Sequence, residues 1–121
     1  MREWVADPDR SVLVSVEDGE LTGFVSCGMT RDEPPEPGVG ELHSFFVGAG
    51  RWRRGTGRAL MAAALADLAE RGYEQATVWS FDANERANAF YEAHGFTRDG
   101  AQVREAVWAD ILQVRYRRTL S

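Results

Sequence analysis

The stretch that decides the fold is Arg51-Trp52-Arg53-Arg54-Gly55-Thr56-Gly57-Arg58, which lies between a predicted buried strand and a predicted helix. Glycines let the backbone turn tightly and bring N–H groups against a ligand. The first turn of a helix has unpaired N–H donors and a partial positive charge. The pattern therefore predicts an anion site suited to a phosphate or pyrophosphate. A bare tight turn without a ligand is the alternative that these residues alone leave open.

The segments around this turn predict a strand, a helix and a second strand. Val39 to Val47 precedes the turn, and its largely apolar second half is typical of a strand covered on both faces. An apolar stripe predicts a helix from about Thr56 to Arg71, and Gly72 stands where a C-cap glycine belongs. Glu74 to Phe81 is the next predicted strand. We expect a right-handed crossover with a ligand site beyond the carboxyl ends of its strands.

The rest of the chain completes a mixed α/β arrangement. A second helix is predicted to be capped by Asn84 or Asp82, to run through His94 and to be closed by Gly95. An Asp18-Gly19 hairpin turn and a loop from Arg31 to Gly38 are also predicted. The further predicted strands are Val12 to Val16, Leu21 to Cys27, Phe96 to about Arg104 and Ile111 to Arg118. The resulting order predicts an α/β (mixed α+β) fold. At 121 residues, the chain fits a single domain spanning residues 1–121.

Composition narrows the classes of ligand. The net charge of −5 argues against a nucleic-acid partner, whereas four arginines between Arg51 and Arg58 indicate a small anion. No stretch has the roughly 18 apolar residues of a membrane span, and the N-terminus has no apolar signal region. The lone Cys27 suits a reducing compartment. We therefore expect a cytoplasmic protein with neither a nucleic-acid nor a membrane partner. A dinucleotide fingerprint is disfavoured because Leu60 stands at its third glycine position.

A second motif follows the crossover, and it reads Asn84-Glu85-Arg86-Ala87-Asn88-Ala89-Phe90-Tyr91-Glu92-Ala93-His94-Gly95-Phe96. With Phe45-Phe46-Val47 and the glycine turn before it, in this order, the chain resembles the GNAT superfamily of acetyl-CoA-dependent N-acetyltransferases. The resemblance runs from about Val12 to Arg118. It implies a central mixed sheet flanked by helices, acetyl-CoA as the acetyl-donor cosubstrate, and no metal.

The resemblance also implies how the cosubstrate is held. Phe45, Phe46 and Val47 would pair through their main chain with the pantetheine arm, like an added strand. The pyrophosphate would be held by Trp52, Arg53, Arg54, Gly55, Thr56, Gly57 and Arg58. Asn84 would hydrogen-bond the pantetheine, although it could equally serve only as a helix N-cap. Tyr91 would lie near the thioester sulfur and protonate the departing thiolate, whereas core packing is the alternative role for an aromatic at helical spacing.

Acetyl transfer to a primary amine also needs a base, because the amine is protonated at neutral pH. Glu41 is the first candidate, by resemblance to family members with a glutamate there, and His43 is the second, because its intrinsic pKa is better suited. Period-two geometry puts both on one strand face with Phe45, provided that a bulge falls later. Solvated charges at a strand end are the alternative. A main-chain N–H near Val47 is the expected oxyanion donor.

The chain departs from the family pattern in two places. Trp52 stands where arginine or glutamine is usual, which matters little for main-chain contacts. Family members usually open with a strand and one or two helices, whereas only about ten residues precede Val12 here. We expect Met1 to Asp7 to be the stub of such a helix, so that Val12 to Val16 forms a sheet edge. This predicts a homo-oligomer, most simply a dimer, or an incomplete acceptor site, or both.

Three further features are a lone cysteine, an acidic segment and an isolated tryptophan. Cys27 is expected to be a small buried hydrophobe. The acidic segment from Asp32 to Glu36 is either a solvated loop or an acidic rim that attracts a cationic amine. Trp108 either shapes the acceptor pocket or plugs the core.

The leading functional hypothesis is therefore an enzyme that acetylates a primary amine of a small molecule or a protein N-terminus. The alternatives are a coenzyme-A-binding module that has lost catalysis and acts as an interaction or regulatory protein, and a nucleotide-binding fold.

Overall fold

The computed structural model describes residues 2–7, 10–48, 50 and 55–120, in which four strands come first and helices then separate the remaining strands. The strands are β1 (Arg2–Asp7), β2 (Arg10–Glu17), β3 (Glu20–Met29), β4 (Val39–Val47), β5 (Gln75–Phe81), β6 (Thr97–Arg104) and β7 (Leu112–Thr119). The helices are α1 (Thr56–Glu70), α2 (Glu85–Ala93) and a short 3₁₀ helix over Ala106–Trp108. These bounds confirm the predicted elements from residue 12 onwards to within about two residues, as expected for helix and strand ends.

The strands form one mixed sheet. Among the described residues its order is β1-β2-β3-β4-β5-β7-β6. Neighbouring strands pair antiparallel, except that β4 and β5 are parallel. Helix α1 connects this parallel pair, because a parallel connection needs a crossover. The predicted mixed α/β fold with a strand–helix–strand crossover is confirmed.

The beginning of the chain differs from the prediction. Residues 2–7 form strand β1, which pairs antiparallel with β2 in a register that places Trp4 opposite Val12. The predicted helix stub is therefore wrong, and so is the prediction that Val12 to Val16 forms the sheet edge, because β1 takes that position. Residues 8 and 9 alone separate β1 from β2, so the connection has no room for a helix.

The helix ends follow the predicted capping pattern. Gly72 and Gly95 adopt left-handed backbone conformations, with φ of 93° and 87°, directly beyond α1 and α2. The side chain of Asn84 caps α2 by accepting a hydrogen bond from the Ala87 N–H at 3.2 Å. Asp82, the other predicted cap, instead forms an ion pair with Arg98.

Both α-helices pack on one face of the sheet. Gly40 allows α1 to approach closely, because a Cβ there would lie 2.9 Å from atoms of Leu68 and Tyr73. Strand alternation puts Ser80 on the face that Gly40 shares, and Ser80 contacts Asn88 of α2. Buried apolar side chains between helices and sheet form one core, and Cys27 belongs to it as predicted.

Neither α-helix in the described ranges is long and apolar enough to cross a membrane.

Candidate functional site

The parallel strands β4 and β5 separate halfway along their length. Their ladder runs from Val39 opposite Gln75 up to Leu42 opposite Val78, whereas β4 itself continues to Val47. Beyond Val78, β5 stays paired with β7 on its other side. A slot therefore opens between the two strands at their carboxyl ends, where ligands bind in open α/β sheets.

A β-bulge accompanies this separation. The register between β3 and β4 shifts so that Ser26 faces Ser44 while Cys27 faces Leu42, which leaves His43 as the extra residue. Glu41, His43 and Phe45 were predicted to share one face on the condition that the bulge falls later in the strand. This condition is not met, because the bulge falls between Glu41 and Phe45 and breaks the alternation. No glycine or proline marks the bulge in the sequence.

Helix α1 begins beside the slot. Its N-cap is Gly55, in a left-handed conformation with φ of 85°. In the described part of the chain, no side chain caps this end and the first turn contains no acidic residue. The first-turn N–H groups are thus left for another acceptor, which suits an anion. Thr56 is buried and Arg58 exposed, whereas Trp52, Arg53 and Arg54 of the predicted pyrophosphate site lie outside the described residues.

A cavity of about 720 Å³ joins the slot to both helices. Its walls include Phe45, Phe46, Val47, Gly57, Asn84 and Tyr91. Gly57 keeps the cavity open, since a Cβ there would lie 3.3 Å from the Phe90 ring. The structure thus brings the end of β4 together with Gly57 of the glycine turn and with Asn84 and Tyr91 of the second motif. Much of the wall is apolar, as is typical of small-molecule sites.

Tyr91 is one of the residues that line this cavity. Its side chain is 8% exposed and contacts the rings of Phe96 and Tyr116. Burial raises the pKa of Tyr91 to about 12, because desolvation disfavours the phenolate. Tyr91 is therefore both a core aromatic and a protonated hydroxyl beside the cavity at neutral pH. The two roles that the sequence leaves open are compatible.

Asn88 fixes α2 to the carboxyl end of β5. Its Oδ1 accepts a hydrogen bond from the Ser80 hydroxyl at 2.7 Å. Its Nδ2 donates to the carbonyls of Asp82 at 3.0 Å and Phe81 at 3.3 Å. No role was predicted for Asn88, although its place on the same helical stripe as Asn84 and Tyr91 is a usable signal.

Glu41 is buried and fully engaged. Its Oε1 accepts hydrogen bonds from the Thr30 hydroxyl at 3.1 Å and the Arg31 main-chain N–H at 2.8 Å. Its Oε2 pairs with the Arg31 guanidinium at 3.3 Å. This carboxylate anchors the end of β3 to β4 and is not a solvated charge. Sequence reasoning missed Arg31 as its partner, because the contact crosses a strand connection.

His43 is partly buried, and its two nitrogens differ. Nε2 lies 2.7 Å from the main-chain carbonyl of Met29, which can only accept, so Nε2 carries the proton in the neutral ring. Nδ1 is buried and accepts no hydrogen bond from any described residue. Burial lowers the pKa of His43 below 6.5, more than the Met29 carbonyl and Glu41 raise it. His43 is therefore a neutral imidazole at pH 7.

The acidic segment between β3 and β4 is held against the other sheet face. Asp32 accepts a hydrogen bond from the Trp79 indole N–H at 2.8 Å and pairs with Arg115 at 3.0 Å. Glu36 pairs with Arg117 at 2.9 Å. Since arginines already neutralise these two carboxylates, they do not form an open acidic rim.

No group of three or more His, Cys, Asp or Glu side chains that could hold a metal occurs in the described ranges.

Comparison with known proteins identifies the family. The model described as the acetyltransferase (GNAT) family matches residues 1–96. The chain belongs to this family. A mycothiol acetyltransferase of Sanguibacter keddieii is 35% identical over 97 residues, which cover 79% of this chain and 31% of the relative. An uncharacterised N-acetyltransferase of Bacillus subtilis is 32% identical over 93 residues, with 76% and 53% covered. The aligned part of this GNAT chain thus spans about a third to a half of these relatives.

Solved acetyltransferase structures share the fold. A nourseothricin acetyltransferase matches with a TM-score of 0.80 and 23% identity, covering 94% of this chain and 67% of that one. An aminoglycoside 6'-N-acetyltransferase complexed with coenzyme A matches with a TM-score of 0.76 and 20% identity, covering 95% and 75%. At these identities the likeness concerns the fold alone.

Proposed function

We propose that this GNAT domain transfers an acetyl group from acetyl-CoA to a primary amine, by direct attack of the amine on the thioester. The observation that carries the proposal is the slot between β4 and β5, which opens onto a cavity containing Tyr91 and the N-terminus of α1. A slot beside an anion site fits a ligand with an extended arm and a pyrophosphate.

The donor half of the site would hold acetyl-CoA in two ways. The segment from Phe45 to Val47 would pair through its main chain with the pantetheine arm, because it follows Leu42, where the pairing of β4 with β5 ends. The N–H groups of Gly55, Thr56 and Gly57 would bind the pyrophosphate, with the predicted help of residues 52–54 and Arg58. Asn84 uses its Oδ1 as a helix cap, and its amide N–H groups would bind the pantetheine.

The leaving thiolate is the group that Tyr91 would stabilise. A thiol has a pKa of about 8.5, well below the pKa of Tyr91 at about 12. Complete proton transfer from tyrosine to thiolate is therefore uphill. We propose that the Tyr91 hydroxyl donates a hydrogen bond to the sulfur. The thiolate then takes its proton from the nitrogen that has attacked the thioester, which must lose a second proton to become an amide. A main-chain N–H of β4 would stabilise the oxyanion.

For the general base, the geometry favours His43 over Glu41. The Glu41 carboxylate already accepts three hydrogen bonds, two of them from Arg31. His43 is instead unprotonated at Nδ1, and its lowered pKa keeps it neutral at pH 7. Since Nδ1 is buried in the structure, we propose that the ring turns to expose this atom before His43 removes the amine proton, directly or through one water, and that Glu41 positions the end of β4.

The test is a thiol-release assay with acetyl-CoA and a panel of primary amines and peptides. We expect turnover, and we expect Tyr91→Phe to lower kcat about tenfold or more while the Kd for coenzyme A stays within about twofold. Tyr73→Phe is the matched control, because Tyr73 follows the far end of α1. Coenzyme A binding without turnover of any amine would favour the non-catalytic module. The short β1–β2 connection supports this alternative, because family members usually have one or two helices at that place.

Oligomeric state and location stay predictions from the sequence. A dimer was predicted from an exposed sheet edge at β2, but β1 takes that edge position. A dimer would therefore have to form at β1 or elsewhere, and gel filtration with light scattering tests it. A cytoplasmic location rests on the lone Cys27.

A further inference from the structure

Three aromatic side chains lie together on the sheet face opposite the α-helices. Trp79 and Phe81 share this face, because they alternate with Ser80, which contacts α2. The Trp108 ring packs edge-to-face on Phe81, with centroids 5.9 Å apart. We call Trp79, Phe81 and Trp108 the aromatic shelf.

The shelf begins at the mouth of the slot. Val78 is the last residue of β5 that pairs with β4, and Trp79 follows it directly. The cavity proposed for acetyl-CoA is lined by α2 and the start of α1 on the helical face. The shelf is therefore on the side from which a second substrate can approach the slot without crossing the donor site.

Trp79 is held in place by paired charges. Its indole N–H donates to Asp32, and the Arg115 guanidinium lies 5.7 Å from its ring centroid. Arg115 pairs with both Asp32 and Asp99. The carboxylates of Asp32 and Asp99 near Trp79 are thus already paired with arginine. They do not attract a polycationic ligand to this surface.

Trp108 is presented to solvent by a strained turn. Its side chain is 52% exposed, and its loop neighbours Val107 and Ile111 are 76% and 48% exposed. Ala109 and Asp110 both adopt left-handed conformations, with φ of 54° and 57°. Such conformations cost about 1 kcal/mol or more per residue for non-glycine residues and cluster at functional sites. A turn that keeps three large apolar side chains in water is typical of a binding surface.

We propose that the aromatic shelf binds an apolar substituent of aromatic size on the acceptor amine. This inference rests on the proposed acetyltransferase function and names its substrate class. The substituent packs on Trp108 and Phe81, and the amine on its short alkyl chain reaches the thioester in the slot. Amines without such a group, and polyamines, are poor acceptors.

The experiment compares phenethylamine, ethylamine and spermidine as acceptors, together with two heptapeptides that differ only in an N-terminal phenylalanine or serine. We expect kcat/KM to be about tenfold or more higher for phenethylamine than for ethylamine, and for the phenylalanine peptide than for the serine peptide, because an apolar group is buried. Trp108→Ala lowers kcat/KM about tenfold for the aromatic acceptor and leaves ethylamine within about twofold. Leu21→Ala, at an exposed apolar residue of the β2–β3 hairpin, is the matched control and changes neither.

Direct binding separates this inference from the proposed function. Calorimetry with phenethylamine and the coenzyme-A-loaded protein measures the affinity of the shelf for an aromatic amine, even if no amine is turned over. Binding that Trp108→Ala weakens, with no acetylation of any amine, overturns the proposed function and leaves the shelf supported. Equal turnover of ethylamine and phenethylamine, or identical kinetics for Trp108→Ala and wild type, overturns the shelf. If phenethylamine neither binds nor reacts, the shelf is wrong. Preference for phenethylamine or for the phenylalanine peptide tells a small-molecule acceptor from a protein N-terminus.

Discussion

Replacing Asn88 by alanine tests whether one buried amide holds α2 in its place. The side chain is 6% exposed and makes three hydrogen bonds, to Ser80, Phe81 and Asp82. Each such bond contributes about 1 kcal/mol net, so the free energy of unfolding should fall by about 3 kcal/mol. For a domain of this size, 1 kcal/mol shifts the Tm by about 4 °C, which gives a decrease of about 12 °C.

The assay is thermal unfolding followed by circular dichroism, with Ser80→Ala as a graded control. Ser80→Ala removes one of the three bonds and should lower the Tm by only about 4 °C. Because α2 carries Asn84 and Tyr91, we also expect coenzyme A to protect Asn88→Ala less than wild type, through a weaker Kd. If Asn88→Ala lowers the Tm no more than Ser80→Ala does, the hydrogen bonds of Asn88 do not hold α2 in place.

Three further predictions concern the slot and its titrating groups. Gly23→Ala should destabilise the domain by about 1–3 kcal/mol and weaken coenzyme A binding, because the new Cβ would lie 2.7 Å from the Phe46 carbonyl oxygen; an unchanged Tm and calorimetric Kd would contradict this. Tyr91 has a folded pKa of about 12 against 10.0 when unperturbed, so its contribution to stability is complete below pH 10 and lost between pH 10 and 12. The difference in unfolding free energy between wild type and Tyr91→Phe should therefore change by about 3 kcal/mol over that window, and a constant difference would exclude a raised pKa. His43→Gln should lower kcat/KM by about 100-fold and abolish the loss of activity that wild type shows as the pH falls through a value below 6.5; an unaltered pH profile would exclude His43 as the base.

Local patterns in the sequence predicted the elements that have strong local signals. The glycines at 72 and 95 marked helix ends, and Asn84 marked a helix start, because each position has a conformation or bond that few residues satisfy. Residues 2–7 were predicted wrongly as a helix stub. That expectation came from the usual order of elements in the family, whereas pairing with β2 decides the strand.

The residues proposed to hold acetyl-CoA were predictable from the sequence. The surroundings of the acceptor side, with Glu41, His43 and Asp32, were not. The two motifs placed Gly57, Asn84 and Tyr91 together, as the cavity shows. The bulge at His43 was missed, because a register shift depends on how β3 pairs with β4. The partners of Glu41 and Asp32 were missed for the same kind of reason, since Arg31 and Arg115 meet them only in the folded chain.

The sequence by itself determined the crossover from β4 to β5, the glycine start of α1 and the family, because these depend on local backbone preferences and on motifs of fixed spacing. Only the tertiary structure decided where β4 and β5 part and which face each side chain of β4 occupies. It also decided which charges are neutralised and which aromatic side chains stay exposed. The physical reason is that strand register and burial are set by contacts between residues far apart in the chain, on which local propensity has no bearing.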